Sequence, residues 1–228
     1  MAIVGRFMSS MKLIYVYWRE RYPVSVFVPF AILIAAVGTA AGGSLPTVRG
    51  AVIGCILAYT LVLTFRIGDD LADLHCDRLH HPNRVLVQSS SLTPIIFLAL
   101  VIAAGDIVMM LFQPRPEKRI AVFAALSLFL LLWYRQRTRL RAGPLFSAHV
   151  VLLKYPVIAL LTSSNWDGLT LRTALPPTVA LYLGMCIYEQ VHDRTVRQTR
   201  GANWIFAAEM GLLLVVPLTM FSIGGFLW

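Results

Sequence analysis

Long apolar stretches separated by short runs of charge and turn residues make up most of this chain. Stretches of about 17 to 25 apolar residues are long enough to carry a helix across a hydrocarbon core. On that criterion the pattern predicts seven helical spans, at 24–41, 51–67, 92–112, 120–134, 146–162, 173–188 and 204–228, with the fourth and sixth short. Gly42-Gly43-Ser44-Leu45-Pro46, Pro114 to Pro116, Ala142-Gly143-Pro144 and Ser163-Ser164-Asn165 interrupt them with turn residues. The expected fold class is all-α, a multispanning transmembrane bundle.

Composition agrees with the pattern. Of 228 residues, 58% are hydrophobic and 14% charged, with a mean hydropathy of +0.73, well outside the range of a soluble domain. In the first 23 residues, Arg6, Lys12, Arg19, Glu20 and Arg21 alternate with Met8, Met11, Leu13, Ile14, Tyr15 and Trp18. That alternation argues against a cleavable signal peptide and fits either an amphipathic helix on the membrane surface or a solvated basic lead-in. The chain therefore divides into a lead-in, 1–23, and one transmembrane domain, 24–228.

The basic residues set an orientation. Fourteen of the 20 Lys and Arg fall in the N-terminal segment and the even-numbered connections, including Arg66, Arg78, Arg84, Arg137, Arg141, Arg194, Arg197 and Arg200. Arg49, Arg115, Lys118, Arg119 and Arg172 fall in the odd ones. This bias places the N-terminus and the second connection in the cytoplasm and Trp228 on the far side. The net charge of +9 then reads as a topology signal and an attraction to anionic lipid. No nucleic-acid-binding motif accompanies it.

The densest chemistry is Asp69-Asp70-Leu-Ala-Asp73-Leu-His-Cys-Asp77-Arg78, at the mouth of the second span. On one helix these four carboxylates occupy an arc of about 100°, with Arg66 one turn earlier on the same arc. Carboxylates so close repel one another unless cations bridge them. Magnesium fits, and because it usually shares its coordination sphere with substrate phosphates, a phosphorylated ligand is expected. Cys76 with His75, His80 and His81 matches no standard zinc spacing, and clustered aspartates favour a hard ion. Cys55 and Cys186 read as core residues.

The run Asp69-Asp70-x-x-Asp73-x-x-x-Asp77, followed by His81-Pro82-Asn83-Arg84, resembles the first aspartate-rich motif of the UbiA-type intramembrane prenyltransferases, N/D-D-x-x-D-x-x-x-D with a following Pro-Asn-Arg. Tyr134-Arg135-Gln-Arg137 is similar to that family's Tyr and Lys-Arg segment. The family's second acidic motif follows the sixth span, where this chain has Tyr188-Glu189-Gln190-Val191-His192-Asp193-Arg194, with fewer carboxylates than is usual. Family members commonly carry nine spans against the seven read here. The resemblance implies two halves facing each other across a central cavity, an internal duplication marked by the acidic helix ends after spans two and six. Alternatively, Glu189 and Asp193 pair with Arg194 or Arg197 at the surface.

By that resemblance the chain is a magnesium-dependent enzyme that ionises an allylic prenyl diphosphate and transfers the prenyl group to a small-molecule acceptor. Asp69, Asp70, Asp73, Asp77, Glu189 and Asp193 would hold the metal. Arg66, Arg84, Lys154, Arg197, Arg200 and Tyr188 would meet the diphosphate or its surroundings. A UbiA-type terpene cyclase, needing no acceptor, is the second reading, and a small transporter or lipid-binding protein is the third. Asp106, His149, Lys154 and Glu209 lie in or near spans, where ionisable groups are functional candidates. Lys154 could instead snorkel, or pair with Glu209 or Asp106.

Overall fold

A computed structural model describes residues 2–137, 139–140 and 142–224, with side chains over 10–216 apart from 138 and 141. The readings placed on the side chains of Arg6 and Met8, on Arg141 and on Trp228 lie outside them. Among the described residues all regular structure is helical. Four helical stretches are long and apolar enough to cross a membrane: Val24–Ala41, Val48–Ala72, Thr93–Leu111 and Pro144–Thr162.

Twelve helices follow one another among the described residues: α1 (Ala2–Arg21), α2 (Val24–Ala41), α3 (Val48–Ala72), α4 (Leu74–His80), α5 (Val85–Gln88), α6 (Thr93–Leu111), α7 (Pro116–Gln136), α8 (Pro144–Leu152), α9 (Lys154–Thr162), α10 (Leu171–His192), α11 (Arg194–Arg197) and α12 (Ala202–Gly224). Local chemistry sets several starts. Proline opens α6, α7 and α8 in the first turn, where its missing N–H costs nothing. Thr47 caps α3 by accepting from Gly50 N at 3.1 Å, and Thr170 forms a capping box with Thr173 at the start of α10.

α2 packs against α3, α9 and α10, and α9 also touches α3, α10 and α7, so these four helices form the centre. α6 and α7 lie beyond α3 and α9, and α12 lies against α10. Buried Ile34, Leu57, Leu61, Ile158 and Leu161 fill the core. Phe97, Leu100, Leu128, Leu131 and Leu214 point outward and exposed, as apolar residues facing lipid would.

Gly38 lets α2 approach α9 closely. A Cβ there would collide with the Ala159 carbonyl oxygen and with Thr162 Oγ1. Small residues allow this approach where lipid offers no hydrophobic driving force between helices. Gly38→Ala is expected to force α2 from α9 and cost about 1–3 kcal/mol, the usual penalty for overpacking, measured as a lowered melting temperature in detergent. At the far end of α9, the fully buried Arg119 of α7 donates to the carbonyls of Pro114, Leu161 and Ser163 and lies over the Trp166 ring. It is a structural cap, where its place in an odd connection suggested only a loop charge.

Three expectations change in detail. The aspartate run does not lie on one continuous helix: α3 ends at Ala72 and Asp73 caps both α3 and α4, which divides the four carboxylates between two helices. The span read at 146–162 is present as Pro144–Thr162, with an interruption at Leu153 where Pro156 has no N–H for the Leu152 carbonyl and its ring crowds that oxygen. The N-terminal segment is more than a surface lead-in. Tyr17 and Tyr22 are fully buried, Tyr22 donates to the Tyr59 carbonyl at 2.6 Å, and Glu20 accepts from Val85 N at 3.1 Å at the start of α5.

Candidate active site

The end of α3 gathers side chains from five parts of the chain. Asp69 accepts from Lys154 of α9 and Tyr134 of α7. Asp70 accepts from Arg21 of α1 through both oxygens, at 2.5 and 3.1 Å, and from Tyr17 at 2.9 Å, with Arg66 at 3.7 Å. Asp73 pairs with Arg137 and Asp77 with Arg84. Arg137 also donates to the Ala72 carbonyl at 3.2 Å, closing the end of α3. The four aspartates thus each meet a different cation instead of converging as bare carboxylates.

Two of these contacts run against the sequence reading. Lys154 is buried and pairs with Asp69, not with Glu209 or Asp106. Those two have other partners: Glu209 bonds His149 at 2.6 Å, and Asp106 accepts from Thr64 at 2.8 Å. Asp193 pairs with neither Arg194 nor Arg197; its Oδ1 caps α11, accepting from Thr195 N at 2.7 Å, Thr195 Oγ1 at 2.5 Å and Val196 N at 3.3 Å. Arg197 donates to the Val191 carbonyl at 3.4 Å, and Arg197 and Arg200 are both exposed, apart from the aspartates' own partners.

Glu189, near the end of α10, does face the cluster, since it interacts electrostatically with Arg66, Lys154 and Asp69. Tyr155, buried beside Lys154, lies in the same field. Five carboxylates (Asp69, Asp70, Asp73, Asp77, Glu189) therefore stand among five cations (Arg21, Arg66, Arg84, Arg137, Lys154), and the assembly is formally neutral. Arg66 Nε is the one nitrogen of these cations that is buried with no hydrogen-bond partner. In α1, outside the four apolar stretches, burial first and then the charge of Asp70 push the Tyr17 phenol well above its ordinary pKa, so it stays a donor. Burial opposes the Arg21 charge, but its hydrogen bond and attraction to Asp70 prevail and raise its pKa.

A groove of about 680 Å³ runs between α2 and α10 toward this cluster. Phe30, Leu33, Val37, Leu181 and Met185 line its walls, and Ala36, Ala40, Ala180 and Gly184 leave its width. Tyr188, next in the chain to Glu189, also lines it. Phe30 meets Tyr155 edge-on at 5.1 Å, so the groove end adjoins the Lys154–Asp69 pair.

Tyr17, Arg21 and Tyr155 carried no signal in the sequence pattern. Tyr134 and Arg137 had one, in the segment after the fourth apolar stretch. Set against protein-family models, curated proteins and solved structures, the chain matches none.

Proposed function

We propose that this chain is a UbiA-type integral membrane enzyme of seven spans, its N-terminus and site mouth cytoplasmic, that ionises an allylic prenyl diphosphate and passes the prenyl group to a small acceptor. The observation that carries this reading is the junction of an apolar groove with a cluster of carboxylates and cations. A molecule that fits both has a long hydrocarbon tail and a strongly charged head. α7, α10 and α12 supply the three further spans. Asp69 and Asp70 at the end of α3, and Glu189 at the end of α10, make the two facing halves of the repeat.

A formally neutral cluster gives a trianionic head group no net attraction, so the diphosphate is expected to enter with divalent cations. The donor set fits magnesium in its chemistry, being oxygen throughout. Asp69, Asp70, Asp73 and Asp77, with Glu189 and the second oxygen of Asp193, would hold it, and bound there it supplies positive charge against the departing diphosphate. The chain's own residues do the rest. Arg66 Nε, ion-paired with Asp70 at 3.7 Å but without a hydrogen bond, offers its N–H to a phosphate oxygen, and Lys154 and Arg84 are further donors in the cluster. Arg197 and Arg200, on the exposed rim, attract the anion at longer range. The apolar walls exclude water from the allylic cation, and the ring faces of Phe30 and Tyr188 flank its path.

A terpene cyclase is the second reading, favoured by one observation: among the described residues Tyr188 is the sole polar side chain lining the groove, which gives a separate acceptor few partners there. A transferase acceptor would enter through the charged mouth. Purified protein in detergent, given magnesium and prenyl diphosphates of several lengths, decides between them by mass spectrometry of the organic extract. Prenylated acceptor formed only when acceptor is added supports transfer. A cyclised terpene formed without it supports the cyclase.

Groove length should govern chain-length preference. Gly184 lines the groove, and a Cβ there meets nothing within 4 Å, so Gly184→Phe fills the groove without displacing backbone. Turnover of the longer prenyl diphosphates is expected to fall at least about tenfold more than that of the shortest, as about 1.4 kcal/mol of lost differential binding requires. Competition between two chain lengths in one reaction measures it.

A further inference from the structure

We propose that His149, Cys186 and Glu209 form a binding site for a zinc-class transition metal, separate from the carboxylate cluster, with the Gln190 side-chain oxygen as fourth ligand. The three groups come from α8, α10 and α12, and their ligand atoms all lie within 4.8 Å of one another. Cys186, Gln190 and Glu209 are buried. Nitrogen, sulfur and one carboxylate oxygen make a borderline-soft donor set that suits zinc and not magnesium.

The histidine geometry points to a cation. His149 Nδ1 lies 2.7 Å from the Leu145 carbonyl, which can only accept, so Nδ1 carries the proton. Nε2 lies 2.6 Å from Glu209 Oε1 and then directs a lone pair at a carboxylate. A second proton must lie between them, or both groups bind one metal ion placed to the side of that line. The Nδ1–H to carbonyl contact is also the outer-shell bond that orients a metal-bound imidazole. Gln190 Nε2 donates to Glu209 Oε2 at 2.5 Å, while Oε1 of the same amide is buried with no partner. An orphaned buried carbonyl oxygen is costly, and a metal ion would satisfy it.

Charge also favours the ion. Zinc with one thiolate and one carboxylate is neutral, the state that apolar surroundings tolerate best. Binding releases the Cys186 thiol proton and the proton shared by His149 and Glu209, two per ion. Tyr182, which donates to the His149 carbonyl at 3.2 Å, stiffens α8 behind the site. A bound ion would fasten α12 to α8 and α10.

The test uses the full chain in detergent, stripped of metal with a chelator and titrated with zinc or cobalt alone. The expected result is one ion per chain, two protons released per zinc, and a thiolate-to-cobalt charge-transfer band in the near ultraviolet. Cys186→Ser should abolish the band and weaken binding by more than the roughly 10–100-fold that loss of an outer-shell partner causes. His149→Gln should weaken binding to a similar degree while keeping the band, which guards against a Cys186 variant that merely misfolds. Cys76→Ser serves as control, because Cys76 Sγ lies 3.5 Å from His80 Nδ1 in an exposed second pair. The proposal is overturned if folded wild-type protein binds no stoichiometric ion, if Cys186→Ser keeps the cobalt band and affinity, or if Cys76→Ser is the variant that loses them.

Discussion

Asp70→Asn is expected to lower turnover of an allylic prenyl diphosphate by at least about 10²-fold, the scale seen when a group that stabilises transition-state charge is removed. Asp70 is the most heavily bonded carboxylate of the cluster, holding Arg21 twice, Tyr17 once and Arg66 nearby. Its loss also leaves Arg21 with only a neutral acceptor, and breaking a buried pair from one side costs about 3–5 kcal/mol. Arg21→Met separates the two effects. It breaks the same pair from the other side, with a comparable fall in melting temperature, but leaves the carboxylate in place, and so should reduce turnover much less. Equal losses of turnover in the two variants would make Asp70 a structural residue.

Lys154→Met should be the most destabilising single change in the centre of the bundle. Lys154 is buried and its ammonium is held by Asp69, with the Tyr155 ring 5.2 Å away. Removing it strands the Asp69 charge with Tyr134 as its remaining partner, again at about 3–5 kcal/mol. Removing both charges should cost far less than the sum of the single changes, because the penalty comes from an unpaired charge and not from the missing bridge. Thermal melts of Lys154→Met, Asp69→Asn and the double variant form the cycle that measures this coupling. Additive losses would mean that the two side chains do not pair.

These contacts explain what the sequence could and could not disclose. Apolar runs made the long helices legible, since length and hydropathy are local properties. α7 and α10 extend beyond the stretches read for them because their ends carry Glu117, Lys118, Arg119, Arg172, Glu189 and His192, which lower hydropathy without ending a helix. The carboxylate-rich end of α3 was legible because its residues are adjacent in the chain. Their partners were not. Arg21 and Tyr17 reach Asp70 across 49 and 53 residues, and Lys154 reaches Asp69 across 85. No periodicity encodes a contact between helices that only the packed bundle brings together. The same holds for His149, Cys186 and Glu209, one from each of three helices, none in a recognisable metal spacing. The break at Leu153 could have been read from Pro156, and the cap at Asp193 from the Asp-x-Thr that opens α11.

Release of pyrophosphate from two diphosphates that differ only in the double bond next to the departing oxygen tests the central claim most directly. An allylic prenyl diphosphate can lose its head group as a stabilised cation, whereas its saturated analogue of equal length cannot. With purified protein and magnesium, the account predicts release from the allylic compound alone and none once the magnesium is chelated. Equal release from both compounds, or none from either by folded protein given acceptor, would contradict it.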